Sequence, residues 1–124
     1  MTIWGILQLS AAALIAATNS ANAADAGHGE KLFVECASCH SIERGVEGVG
    51  PSLFGLFQRK AGDVADYRYS PALKRSGIAW TPQTLDTYIA DPQKSVPGNR
   101  MPYSGLPNAQ DRADLMAYLQ KVLR

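Results

Sequence analysis

A surplus of charge is missing from this sequence: in 124 residues, 12 Lys and Arg face 11 Asp and Glu, for a formal net charge of +1. That excludes strong nucleic-acid binding, because phosphate recognition needs a concentrated basic surface. Internal repeats and low-complexity tracts are missing too, and Pro and Gly are scattered as punctuation between short elements. No segment alternates polar and apolar residues in the manner of a half-buried strand. Cysteine is scarce, at two residues, as is methionine, at three. The one long apolar run, Ile3 to Ala17, is short for a bilayer span of roughly 20 residues.

That run reads as an address. Polar Thr18, Asn19 and Ser20 follow it, and Ala21-Asn22-Ala23 supplies an A-x-A cleavage site, so residues 1–23 are expected to be a secretory signal peptide and residues 24–124 the mature domain. The departure is that no Lys or Arg precedes the run, and an uncleaved anchor is the competing interpretation. Export from a bacterial cell would place the domain in the periplasm. Its length of about 101 residues buries only about two-thirds of the surface of the unfolded chain. The core is therefore expected to be thin, with room for a large apolar cofactor to supply interior.

In an oxidising compartment two cysteines ordinarily pair. Here they stand as Cys36-Ala37-Ser38-Cys39-His40, and C-x-x-C-H is the spacing of haem attachment. On a helical turn, residues i and i+3 share a face and i+4 lies beside the first. Both sulfurs can then reach two vinyl groups on one porphyrin edge, while His40 lies beneath the ring as an iron ligand. Other chemistries use similar residues. A thioredoxin-like pair needs a βαβ pattern, whereas Phe33, Cys36, Ala37 and His40 keep helical spacing. Zinc could draw on Cys36, Cys39, His40 and His28, although adjacent Cys39 and His40 are poorly placed around one tetrahedral ion. A plain disulfide would leave His40 without a purpose.

If haem is attached, a second axial ligand decides the chemistry. Met1 belongs to the address segment, and Met116 lies in a helical stretch where a thioether ordinarily fills a core gap. Met101 sits in Val96-Pro97-Gly98-Asn99-Arg100-Met101-Pro102, an irregular segment in which Pro102 biases Met101 toward extended backbone. A loop of this kind can aim a side chain across a pocket, and Met101 is the expected sixth ligand. Two protein ligands leave no position for substrate, so the expectation is electron exchange and not enzymatic turnover. The rival is a haem enzyme or gas-binding protein with the sixth position open.

The remaining pattern predicts an all-α architecture. Ser70-Pro71 reads as an N-cap with proline at the first helical position, and Gly77 as the stop. Thr81-Pro82 repeats the start, Leu85, Tyr88 and Ile89 mark an apolar face, and Asp91-Pro92 closes the segment. Asn108 caps a last helix in which Leu115, Tyr118, Leu119 and Val122 recur at i, i+3, i+4 and i+7. Phe33, Leu115 and Tyr118 are expected to join the first and last helices.

The sequence also resembles the class I cytochromes c, especially the mitochondrial forms and their soluble bacterial relatives. The resemblance runs through Cys36–His40, Gly50-Pro51-Ser52-Leu53, Gly55-Leu56-Phe57-Gln58-Arg59-Lys60, Tyr69-Ser70, Gly77-Ile78-Ala79-Trp80, Pro97–Met101 and Arg112–Leu119. It implies a small cytochrome c fold of about four to five helices wrapped around one covalent haem c. It also implies that the Pro51 carbonyl accepts the His40 N–H, that Arg59, Tyr69 and Trp80 hydrogen-bond the propionates, and that Tyr88 and Asn99 line the methionine side of the iron. The implied partners of the monomer are membrane electron-transfer complexes: a quinol-cytochrome c oxidoreductase as donor, and a terminal oxidase or reaction centre as acceptor. Departures from the pattern include Leu73 in place of an asparagine, Asn99 in place of a threonine and Gln58 in place of a glycine, while Tyr103 stands where an aromatic commonly covers the haem edge. The segment before Cys36 is one residue shorter than in mitochondrial forms, which points to a bacterial member.

Overall fold

The computed structural model describes residues 23–124; the expected signal peptide, apart from Ala23, lies outside the described residues. Five helices follow in order: α1 (Ala26–Ala37), α2 (Pro71–Arg75), α3 (Pro82–Ala90), α4 (Pro92–Ser95) and α5 (Ala109–Val122), with a 3-10 turn at Leu56–Gln58 between α1 and α2. There is no named strand among the described residues, only an antiparallel bridge between Lys60 and Ala79.

Side-chain caps start every helix. Asp25 accepts from Gly27 N and His28 N, Ser70 from Leu73 N, and Asn108 from Asp111 N. Thr81 and Thr84 form a reciprocal capping box. Each satisfies N–H groups that the first turn leaves without partners. Two boundaries differ from expectation. Asp91-Pro92 ends α3 but also starts α4, because the Asp91 carboxylate accepts from Lys94 N at 3.1 Å and proline is preorganised for a first turn. At the cysteines the regular helix stops at Ala37. The chain then tightens into a turn in which Cys39 N and His40 N both donate to the Cys36 carbonyl, at 3.1 and 2.9 Å.

The core gathers where α1 crosses α5 and α3 leans on α5. Phe33 stacks at a tilt on Tyr118, 5.5 Å between ring centroids, and Leu115 beneath them is 1% exposed. The backbones meet at Gly29, where a Cβ would land on the Asp114 carbonyl and lie 2.9 Å from Tyr118 Cβ. Leu85, Tyr88 and Ile89 supply the buried face of α3, and Met116 fills the interior as its position on α5 suggested. No described helix is long and apolar enough to cross a membrane.

Candidate functional site

The turn after α1 carries Cys36, Cys39 and His40 together. Both cysteines are free thiols and half-buried, and burial, with a smaller contribution from Glu35, pushes the Cys36 thiol up. The following loop folds back on the turn: Gly50 N donates to Cys39 O and Leu53 N to Ser41 O, both at 2.8 Å. This return brings the Pro51 carbonyl 2.7 Å from His40 Nδ1. A carbonyl can only accept, so Nδ1 carries the proton and Nε2 keeps its lone pair for a metal. Gly50 lies flat against the imidazole; a Cβ there would stand 2.7 Å from Nδ1 and 2.8 Å from Nε2.

A second group comes from the segment between α1 and α3. Arg59 donates through Nη1 to the carbonyls of Ser52 and Phe54 at 2.8 and 2.9 Å, and through Nε to Asp63 at 3.0 Å. Its carbonyl accepts from Trp80 N at 2.9 Å, and the buried Tyr69 hydroxyl accepts from Val64 N at 3.2 Å. Burial pushes Tyr69 up, while Arg59 beside it partly opposes the shift. Arg59, Tyr69 and Trp80 are thus brought together. Trp80 packs edge-on to Tyr88, 5.2 Å between centroids, and burial pushes the Tyr88 phenol up to about 12. Although both rings are buried, neither the Trp80 indole N–H nor the Tyr88 hydroxyl has a hydrogen-bond partner among the described residues. A cleft of about 450 Å³ lies beside Arg44, Ser52, Phe54, Arg59 and Asp63. It borders neither thiol, nor His40, nor Met101, so it is not where that chemistry resides.

Met101 is half-buried and packs on the core with Leu53, Phe57, Leu73, Ile78 and Tyr103. Its N–H donates to Asn99 Oδ1 at 2.9 Å. The amide nitrogen of Asn99 donates to the Pro92 and Val96 carbonyls at 2.9 and 3.0 Å, so its side chain is tied to backbone beside Met101. His28, weighed above as a zinc ligand, turns to Asp114, with Nδ1 donating to Oδ2 at 2.7 Å. The one cluster of metal-ligating groups among the described residues is His28, Asp111 and Asp114, away from the cysteines.

Comparison with known proteins decides the family. The family model for cytochrome c matches residues 26–123. The chain is 48% identical over 100 residues to cytochrome c2 of Rhodoblastus acidophilus, covering 80% of this chain and 94% of that one. It is 41% identical over 108 residues to cytochrome c of Nigella damascena, covering 86% and 97%. Among solved structures, cytochrome cH from Methylobacterium extorquens superposes with a TM-score of 0.72 at 44% identity, covering 78% of this chain and 98% of that one. The chain belongs to the class I cytochromes c.

Membership makes this cytochrome a haem electron carrier and not, at the level of the family, an enzyme. The residues present fit the covalent haem c that the family implies. Two unpaired thiols stand one turn apart, an imidazole has its outer nitrogen already tied, and a glycine cradle admits the ring. The Trp80 indole N–H and the Tyr88 hydroxyl, on largely buried rings, make no hydrogen bond to the described residues and are free to donate to a bound group. Sequence reasoning gave no role to Gly50 or to Gln93, which donates to Asn99 O at 2.8 Å. Gly50 carried a signal in its place beside Pro51; Gln93 carried none, because its partner is a loop backbone.

Proposed function

We propose that this cytochrome is a periplasmic one-electron carrier whose haem is bonded to Cys36 and Cys39 and ligated by His40 and Met101. The observation that carries the reading is the His40–Pro51 hydrogen bond, which fixes the ring, selects the tautomer and makes Nε2 a better donor. Bound haem supplies a one-electron iron couple. The protein does the rest. Pro51 holds the proton on Nδ1, Trp80 and Tyr88 keep one wall dry, and Arg59 and Tyr69 offer donors to the propionates. Met101 would supply the second protein ligand, leaving no position for a reactant, so that only electrons would pass. A histidine and methionine ligand pair would also raise the potential relative to other ligand sets.

The exchange partners are membrane redox complexes, with a quinol-cytochrome c oxidoreductase as donor and a terminal oxidase or reaction centre as acceptor. The test is a redox-titrated visible spectrum of protein made with haem-maturation machinery. Haem that stays attached in denaturant and a weak thioether-to-iron band in the ferric protein are expected. Met101→Ala is expected to lose that band and to gain affinity for added ligands. A parent protein already lacking the band would make it a ligand-binding haem protein instead.

A further inference from the structure

We propose that Asn99, backed by Gln93, is a positioning residue that sets how firmly Met101 stays on the iron. The inference rests on Met101 being the sixth ligand, as proposed above. A thioether is a neutral, weak ligand, so its hold depends on how little the loop has to be ordered when it binds. The segment Gly98–Met101 belongs to no helix, and irregular backbone of this kind ordinarily frays at low cost.

Here it does not stand alone. Helix α4 has only four residues, Pro92–Ser95, and the backbone ties that close it are few: Val96 N to Pro92 O at 2.9 Å and Asn99 N to Val96 O at 3.1 Å. The Asn99 amide adds a second bond to each of these carbonyls, one N–H to Pro92 O at 2.9 Å and the other to Val96 O at 3.0 Å. Its remaining oxygen accepts the Met101 N–H at 2.9 Å. Gln93, on α4 itself, repeats the clamp from the other side, donating to Asn99 O at 2.8 Å and accepting from Gly98 N at 3.3 Å. Asn99 is 7% exposed, so water does not compete for these bonds and breaking them strands buried polar groups. The planar fork is specific: a threonine hydroxyl offers one donor, and an aspartate would set its charge against two carbonyl oxygens. The bonds therefore run from a short helix, through one buried amide, to the backbone of the ligand residue.

An added ligand such as imidazole binds ferric iron only when Met101 has let go, so its apparent affinity reports the release equilibrium. The experiment titrates ferric holoprotein with imidazole and follows loss of the thioether-to-iron band. Asn99→Ala and Asn99→Asp are expected to bind imidazole on the order of tenfold or more tightly than the parent, and Gln93→Ala about threefold. His28→Ala, which loosens α1 from α5 instead, is expected to leave imidazole affinity unchanged while lowering thermal stability. Asn99 variants with parental imidazole affinity and lowered stability would show a purely structural residue and overturn the proposal. Should Asn99→Ala yield no holoprotein, parental affinity in Gln93→Ala overturns it equally. A parent without the band would refute Met101 ligation itself, a separate result.

Discussion

At the scale of single residues, the site depends on what Gly50 lacks. The His40 ring fills the space where a Cβ would be, within 2.8 Å of both ring nitrogens, and the neighbouring Pro51 carbonyl holds the same ring by one bond of 2.7 Å. Gly50 also donates to Cys39 O, so it cannot retreat without loosening the cysteine turn. In Gly50→Ala the imidazole therefore has to move, and overpacking of this kind costs about 1–3 kcal/mol. Both thiols are untouched, so the haem is expected still to attach. Denaturant unfolding of the holoprotein should give a stability lower by about 2 kcal/mol, and its visible spectrum should show weakened His40 ligation. Parental stability together with a parental spectrum would mean that the ring is not confined as the structure indicates.

At the scale of elements, the first and last helices are joined by packing and by one ion pair. Around Asp114 gather the Asp25 N–H at 2.8 Å, Gln110 Nε2 at 3.0 Å and His28 Nδ1 at 2.7 Å. Asp114 is held below its ordinary 3.8 by the Asp25 N–H first, then by His28 and Gln110. His28 is raised above 6.5 by its hydrogen bond to Asp114, with Asp111 and Asp25 adding attraction and burial opposing. A raised histidine stabilises fully below its unfolded value and loses that contribution as pH climbs through the folded one; a lowered carboxylate stabilises above its unfolded value and loses that as pH falls. The clasp is thus complete between 3.8 and 6.5. Thermal unfolding should show the parent losing more stability than His28→Ala between about pH 5 and about pH 9. Parallel profiles would show that the pair does not link the helices. These same helices mark how far sequence alone reached. Ser70, Thr81 and Asn108 were legible as caps because their signals are local. Asp91-Pro92 was misread as a stop only, since a dipeptide that ends one helix can cap the next. Gly50 against His40, Asn99 against Pro92 and His28 against Asp114 were not legible, because each depends on segments that only the folded chain brings together.

At the scale of the whole molecule, the interior is unevenly distributed. Helices α1, α3 and α5 supply most of the buried apolar side chains, whereas the long stretch from residue 41 to residue 69 contributes only Leu56 and Tyr69. That stretch is held largely by polar ties, such as Ser52 Oγ to Glu43 O and Arg59 to two carbonyls. Polar ties near a surface stabilise modestly, about 1 kcal/mol each. The cysteine turn sits where this stretch begins, and Tyr69, Trp80, Tyr88 and Met101 lie along its far side in sequence, so a haem bonded to the turn would be the apolar body both parts share. Covering roughly 400 Å² of protein and ligand apolar surface is worth on the order of 10 kcal/mol, comparable with the entire stability of a domain this size. A Cys36→Ser, Cys39→Ser double variant isolated without haem is therefore expected to lose most of its helical circular dichroism and its cooperative thermal transition. The attached-haem protein should keep both under the same conditions. Retention of the full helical signal and a sharp transition in the haem-free chain would show that the α1–α3–α5 core is sufficient, and that the stretch from 41 to 69 is ordered by its polar ties alone.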